Sequence, residues 1–377
     1  MNIKVIKGDE AFLSLKDDWD RLAENLIAVT KFDWIYRWWN HFQEKNELSI
    51  LIAEKNNKIV GIAPLYIENT KALKVVPFRK LKFLGGDLTD FLDFLIDEQD
   101  YNRELIFKNL LNYALNNFDY DLLELGQINS DYPNFDLWNK FAGYTGSKFT
   151  AYKENHKIKL AEFVSYQNYY RQLSKNHRKS LKSRLTKVIN DGIDFKYEFK
   201  SHITEEDIEI IKKICIKRQN FLYKKGDHKR FCYFLDNKKT KFIEDYFCSN
   251  DNDSKMLAYL KFNGVIIAYN LILLNKNTFS IWNSTFDNDY EFYAPSKLFF
   301  NELIKYAFEK NYEYFDFMRG NDPYKLSWTN KTAYNYNFEY KKSLKAKLVF
   351  SYRENVPNFI SKSIRNNELP DFEKLNL

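Results

Sequence analysis

The stretch that decides the fold runs from Tyr293 to Lys325 and reads YAPSKLFFNELIKYAFEKNYEYFDFMRGNDPYK. Leu298, Phe299, Leu303, Ile304 and Ala307 recur at three- and four-residue spacing, which predicts an amphipathic helix. Pro295 suits its first turn, where the missing N–H would have been an orphan anyway. Ser296 is the expected cap, its hydroxyl accepting a free backbone N–H. After Asn311 the period changes, and Tyr314–Met318 reads as a short buried strand. Such a strand seldom carries a carboxylate without a use for it, which singles out Asp316. Arg319 and Gly320 follow, then Asp322-Pro323-Tyr324-Lys325. A helix N-terminus beside a strand end that presents Asp, Arg and Tyr predicts an anion site next to a chemical one.

Immediately upstream lies a meander. Met256–Phe262 and Val265–Leu274 read as strands joined by Asn263-Gly264, a hairpin signal, and Asn275–Asn277 turns the chain into a strand over Phe279–Phe286. Further back, residues 204–223 form a helix with Ile208, Ile211, Ile214 and Cys215 inward and Thr204 as its cap. A second helix is expected over Phe231–Phe247. Downstream, Ala333–Tyr340 reads as a last strand. From Lys345 a tail begins, expected as a terminal helix and a loose end containing Pro357 and Pro370.

The most basic stretch is Tyr166–Ile189, with no Asp or Glu from Phe163 to Asn190. As a helix it sets Leu181, Leu185, Val188 and Ile189 on one face and Lys175, Lys179 and Lys182 on another, with Arg178 between. It reads either as a solvated linker helix or as a clamp for phosphate groups. An anionic membrane surface or RNA is less favoured, because such a charge run is common.

The first part of the chain mixes both element types. Residues 9–28 read as a helix with Leu13, Leu15, Trp19, Leu22 and Leu26 inward. Trp34, Trp38 and Phe42 share one face of the next, as a core stripe or, more sharply, a binding wall. Leu48–Glu54 and Lys58–Glu68 read as strands turned by Asn56-Asn57, and Lys80–Leu84 as another. Gly85-Gly86 lacks the following Lys and the spacing of a phosphate loop. Tyr101–Asn116 is expected to be helical, Asp121–Leu125 and His156–Leu160 extended.

The chain's 377 residues are 45% hydrophobic and 29% charged, enough for a sizeable core. The net charge of +7 is uneven: residues 1–160 carry 21 Lys/Arg against 24 Asp/Glu, the remainder 37 against 27. An anionic ligand is therefore expected in the second half. Cys215, Cys232 and Cys248 are spaced by 17 and 16 residues, neither a metal spacing nor an even disulfide framework, and fit a reducing cytosol. The five histidines form no cluster, so no metal is expected. With no apolar leader and no membrane-length apolar run, the expected location is cytoplasmic.

From Lys196 onward the order is helix, helix, three antiparallel strands, loop, helix, strand, loop, strand. It resembles the core of the GNAT acyltransferase superfamily. More specifically, the chain resembles the bacterial acetyltransferases of the CelD/BcsL type, linked to cellulose and exopolysaccharide synthesis. The residues that carry this are Trp34, Trp38-Trp39 and Phe42, then Leu84-Gly85, Asp90-Phe91 and Asp93-Phe94. They continue with Leu173-Ser174-Lys175, Arg178 and Leu181, and end with Tyr293–Ser296, Phe315–Phe317, Arg319-Gly320 and Tyr324-Lys325. The two-lobed arrangement is shared with the FemABX aminoacyltransferases. The resemblance implies an α/β (α+β) fold: two tandem GNAT-like lobes, each a mixed, largely antiparallel sheet flanked by helices. The expected division is 1–162 and 195–344, joined by a basic linker helix over 163–194 and followed by a tail over 345–377.

The resemblance also implies acetyl-CoA, or another acyl-CoA, as co-substrate. Its pyrophosphate would meet the backbone N–H groups around Tyr293, Ser296, Lys297 and Leu298, although the usual glycine-rich loop is missing. Trp282, Asn283 and Ser284 would flank the thioester. Asp316 is the candidate base or substrate orienter, or else a structural partner of Arg319. Tyr324 is the candidate acid for the leaving thiolate, or else a core tyrosine. Arg319, Lys325 and Arg178 would bind substrate phosphate or carboxylate. Asp90 and Asp93 would face the acceptor, unless Asp93 simply alternates outward on a strand. The favoured activity is N-acylation of a small-molecule amine, an amino sugar or nucleotide sugar of surface polysaccharide synthesis, with no DNA partner. The alternatives are an aminoacyltransferase using charged tRNA and a non-catalytic scaffold.

Overall fold

The computed structural model describes residues 1–355 except 98–99, 101, 228–231 and 251–253, with 353–355 given by backbone alone. The chain divides into two compact units. One comprises Met1–Lys153 and the described residues from Ala333; the other is Glu154–Thr332.

The first unit opens with β1 (Asn2–Ile6), α1 (Asp9–Leu13), α2 (Lys16–Leu22) and α3 (Phe32–Phe42). The single helix expected over residues 9–28 is thus two short ones. Leu15, Trp19 and Leu22 turn inward, but Leu13 is exposed. β2 (Glu47–Leu48), β3 (Ile50–Lys55), β4 (Lys58–Ala63), β5 (Leu65–Ala72) and β6 (Val76–Phe83) follow. The strand expected over Lys58–Glu68 breaks at Pro64, and its two parts enter different sheets. Proline has no N–H for a ladder, so strands end there. Asn56 and Asn57 both take positive φ, as a tight hairpin requires. β7 (Leu95–Ile96), α4 (Arg103–Asn117), β8 (Leu122–Asn129) and α5 (Phe135–Thr145) complete this stretch. One sheet has the order β1-β3-β4-β7.

α3 buries Trp34, Ile35, Trp38 and Trp39, so the tryptophans are core and not a binding wall. Trp34 Nε1 donates to Thr89 Oγ1 at 2.8 Å, and Thr89 Oγ1 donates to the Gly85 carbonyl at 2.8 Å. Gly86 has φ +57°, and a Cβ there would lie 2.8 Å from the Trp38 ring. The glycine pair is a packing feature beneath the indole ring.

β9 (Lys148–Lys159) carries the chain into the second unit, which continues with α6 (Tyr166–Gln172), α7 (Lys175–Asn190), β10 (Phe195–Lys200), α8 (Glu205–Lys224) and α9 (Asn237–Cys248). Phe231, the expected start of the α9 helix, lies outside the described residues. The basic stretch is two helices, broken where Ser174 caps α7 by accepting the His177 N–H. α7 is no linker; it packs in the core of this unit through His177, Leu181 and Val188. Leu185 and Ile189, expected inward, are exposed instead.

β11 (Lys255–Phe262), β12 (Val265–Leu274), β13 (Thr278–Phe286), α10 (Pro295–Glu309) and β14 (Tyr314–Arg319) close the second unit. Its sheet has the order β10-β11-β12-β13-β14-β9, antiparallel except for the β13–β14 pair. α10 presents Leu298, Phe299, Leu303, Ile304 and Ala307 to the core, each at most 5% exposed. Each large side chain so buried is worth about 1.5–3 kcal/mol relative to exposure, enough to fix the helix on the sheet.

β15 (Thr332–Lys341) and α11 (Leu344–Asn355) end the described chain. β15 does not close the second unit. It pairs antiparallel with β8, giving the first unit a second sheet of order β15-β8-β6-β5-β2. The described part of the expected tail is α11, whose Ala346 and Val349 are buried with Phe78 and Leu122. The rest of that tail, with Pro357 and Pro370, lies outside the described residues. Fold class is mixed α/β, with large mixed sheets flanked by helices.

Candidate functional site

Three features of the second unit mark a candidate site. The first is where β13 and β14 part. Their parallel ladder runs from Thr278/Tyr314 through Phe279/Phe315 to Ser280/Asp316 and stops there among the described residues, although both strands continue. The second is a bulge in β13. Leu271 faces Asn283 and Ile272 faces Ile281, so the register skips Trp282. A bulge re-aims one residue and bends its strand. Here it falls two residues past the last β13–β14 pair.

The third is the start of α10. Ala294 is the N-cap, in the left-handed conformation at φ 51°, ψ 57°, and no side chain caps the helix. Pro295 sits in the first turn as expected, but Ser296 lies inside the helix and is not the cap. The Ala294 carbonyl accepts the N–H groups of Lys297 at 3.0 Å and Leu298 at 3.4 Å. A left-handed N-cap normally calls for glycine. An alanine takes up that backbone here, so the missing glycine has not removed the turn.

Cations gather beside this helix start. Lys297 Nζ donates to Ser180 Oγ of α7 at 2.9 Å, and burial, with Arg184 nearby, lowers its pKa. Arg184 donates to the Phe292 carbonyl at 2.6 Å. Lys187 lies 4.3 Å over the Phe292 ring and 3.0 Å from Asp191, which also accepts the Tyr293 hydroxyl at 2.8 Å. Arg178 is half-buried, and its Nε is enclosed without a partner. His177, which the sequence did not flag, is buried edge-on against Trp328, with ring centroids 4.4 Å apart. Burial and then Lys297 push its pKa down to about 4.

The strand end differs from expectation in detail. Asp316 is buried, and its Oδ1 accepts the Met318 N–H at 2.7 Å. Met318 is itself left-handed at φ 57°. The carboxylate thus holds a kink in β14, which the sequence did not disclose. Lys325, expected on substrate, is only 2% exposed. Its Nζ donates to the carbonyls of Met318 at 3.0 Å and Arg319 at 3.1 Å. Gly320, next in the chain, has φ +133°, a backbone that strains any side chain, and a Cβ there would come within 3.1 Å of Asp322 Oδ2 and 3.2 Å of Lys325 Nζ. Arg319 is half-buried beside it and faces Asn155 of β9. Tyr324 stacks on Phe300 of α10, with centroids 5.3 Å apart and rings 11° from parallel, and is 39% exposed.

Trp282 is buried between Tyr233 and Phe247, at 5.6 Å and 5.4 Å. Asn283 accepts the Tyr269 hydroxyl at 2.7 Å, while Ser284 is exposed. Asp90 and Asp93 belong to the first unit. Asp93 is neither on a strand nor turned outward. It is 2% exposed, and Oδ1 accepts from Trp138 Nε1 and the Phe94 N–H, both at 2.7 Å. Burial raises its pKa to about 6, against these hydrogen bonds. Asp90 is also buried, and its carbonyl accepts Asn335 Nδ2 at 2.6 Å.

Residues 175–326, which hold all three features, match the model of the Acetyltransferase (GNAT) domain. Solved structures similar to the chain span nearly its whole length. FemX aligns at TM-score 0.61 and 11% identity, over 94% of this chain and 100% of its own. L-PGS from Bacillus licheniformis aligns at 0.52 and 14%, over 89% and 96%. A tandem GNAT protein from the clavulanic acid biosynthesis pathway aligns at 0.52 and 9%, over 91% and 99%. At these identities the likeness is one of fold. A comparison with curated proteins finds no match. Among the described residues no cluster of His, Cys, Asp or Glu could hold a metal, and no helix is long and apolar enough to cross a membrane.

Proposed function

We propose that this protein is an acyl-CoA-dependent N-acyltransferase. The observation that carries the reading is the parting of β13 and β14 after Ser280 and Asp316, with the bulge at Trp282 beside it. A gap between two parallel strands offers backbone N–H and C=O groups to an extended amide-bearing chain, as a strand neighbour would. The start of α10 supports the other end of such a ligand. Helix N–H dipoles and Lys297 favour a diphosphate there, and the side-chain cap that would compete is absent. An acyl-CoA supplies the activated acyl group.

The chain's own residues then divide the work. Asp316 and Lys325 fix the kinked strand end from both sides, the carboxylate on an N–H and the ammonium on two carbonyls. Tyr324, oriented by its stack on Phe300 and partly open to solvent, is the proton donor to the departing thiolate. Arg319 and Arg178 are the proposed contacts for an anionic acceptor. The acceptor we propose is the amino group of an amino sugar or nucleotide sugar used in surface polysaccharide synthesis. The cationic bias of residues 161–377 supports an acceptor with its own phosphates.

The test is thiol release from acetyl-CoA, measured against a panel of amino sugars and nucleotide amino sugars. Turnover with one acceptor, lost in Tyr324→Phe while binding of CoA persists, is the expected result. Acyl-CoA binding without turnover on any amine leaves a scaffold. Retention of charged tRNA, falling steeply with salt, points to aminoacyl transfer instead.

A further inference from the structure

Two of the three cysteines, 17 positions apart in sequence, are brought together in the second unit. Cys215 lies on α8 and is half-buried. Cys232 is 2% exposed and caps the short 3-10 turn Tyr233–Leu235. Their Sγ atoms are 2.6 Å apart, within about half an ångström of a covalent S–S bond, about 2.05 Å. Nothing in the acyl-transfer reading uses either thiol.

We propose that Cys215 and Cys232 are an oxidisable dithiol that closes to a disulfide with a hydroperoxide as oxidant. The two thiols are chemically unequal. Donation from Cys215 and the N–H groups of Phe234 and Leu235 stabilise negative charge on Cys232 and lower its pKa, while the Cys215 pKa is raised by its partner and by burial. The Cys232 thiolate attacks a peroxide oxygen, forming Cys232–S–OH and expelling alkoxide, or hydroxide from hydrogen peroxide, which takes up the proton that the Cys232 thiol gave up and leaves as alcohol or water. The Cys215 sulfur then attacks Cys232 Sγ, and hydroxide leaves with the Cys215 proton as water. Two thiols are oxidised by two electrons, and one peroxide bond is reduced.

The bond would tie α8 to the segment whose next residue, Tyr233, stacks 5.6 Å from Trp282. The same pair lies against Tyr269, whose hydroxyl donates to Asn283. The site thus abuts the bulged strand from the α8 side. Cys248 is an internal control, its pKa pushed up to about 11 by burial and nearby carboxylates.

The experiment uses the full chain, treated with hydrogen peroxide, alkylated under denaturing conditions and mapped by mass spectrometry. Expected are loss of two of the three alkylatable thiols, a linked Cys215–Cys232 peptide pair and full recovery with dithiothreitol. In Cys215→Ser the link is absent and a sulfenic acid on Cys232 is trapped by dimedone; Cys248→Ser keeps the link. Three free thiols after treatment, a link through Cys248, or over-oxidation of Cys232 without a link overturns the proposal. The wild-type map decides even if a variant fails to fold, and it is independent of acyltransferase activity.

Discussion

Asp316 Oδ1 accepts the backbone N–H of Met318 two residues further along the same strand, at 2.7 Å. That bond stabilises a left-handed methionine in the middle of β14, at the point where β13 leaves it. A buried hydrogen bond of this kind contributes about 0.5–3 kcal/mol. Asp316→Ala should therefore lower unfolding free energy by that order in urea titrations. Asp316→Asn, whose amide oxygen can take the same N–H, should lose less. Equal losses would show that the bond to Met318 is not what the residue supplies.

Lys325 makes the complementary contact, on the carbonyls of Met318 and Arg319. Lys325→Met keeps an unbranched apolar stem and removes the ammonium donor. It should destabilise by about 1–3 kcal/mol, since the buried Met318 carbonyl and the part-buried Arg319 carbonyl lose this donor. The loss should appear in unfolding curves whether or not an acceptor is present. A variant with wild-type stability and a selectively raised KM for acceptor would return Lys325 to the substrate.

The N-cap of α10 gives a prediction of opposite sign from the usual one. Left-handed backbone costs a non-glycine residue about 1–2 kcal/mol, while glycine adds about 0.4–1 kcal/mol of unfolded-state entropy. Ala294→Gly should therefore be neutral to slightly stabilising. Ala294→Val, with a branched Cβ at φ 51°, should destabilise by more than 1 kcal/mol, roughly, and shift the thermal midpoint down.

Acid affects the two units in opposite directions. Unfolded Asp93 gives up its proton near its ordinary value of 3.8, whereas in the folded chain it holds it to about 6. Its contribution to stability falls as pH rises through that window, by an amount on the order of 3 kcal/mol. His177 behaves oppositely. Unfolded, it takes a proton near 6.5, and folded only near 4, so stability is lost as pH falls between them. Urea titrations near pH 4 and near pH 7 check both. Asp93→Asn should remove the first dependence and His177→Gln the second.

Much of this site was legible in the local pattern. The three- and four-residue spacing from Leu298 to Ala307 specified α10, and the change of period after Asn311 specified β14. Side-chain direction was harder to read. Asp93 looked like a residue alternating on a strand, yet it turns inward because Trp138, 45 positions away, offers its indole N–H. Lys325 reads as a contact for substrate phosphate or carboxylate, but its partners are the Met318 and Arg319 carbonyls at a kink that periodicity does not encode. Ser296 looked like a cap because serine often is one; a left-handed alanine two positions earlier takes that place. Leu185 and Ile189 fitted an apolar stripe, but α7 is rotated so that His177, Leu181 and Val188 face the core. The return of β15 to the first unit depends on pairing with β8, some two hundred residues away, and sequence proximity argues for the wrong partner.

In the proposed function, the gap between β13 and β14 and the start of α10 together receive an acyl-CoA. Calorimetric titration of acetyl-CoA into the wild-type protein and into Ala294→Val tests it most directly. Saturable binding at one site per chain, a matching rise in thermal midpoint, and affinity weakened roughly tenfold or more in the variant are expected. No heat and no thermal shift at saturating acetyl-CoA, in a wild-type protein shown to be folded, would contradict it.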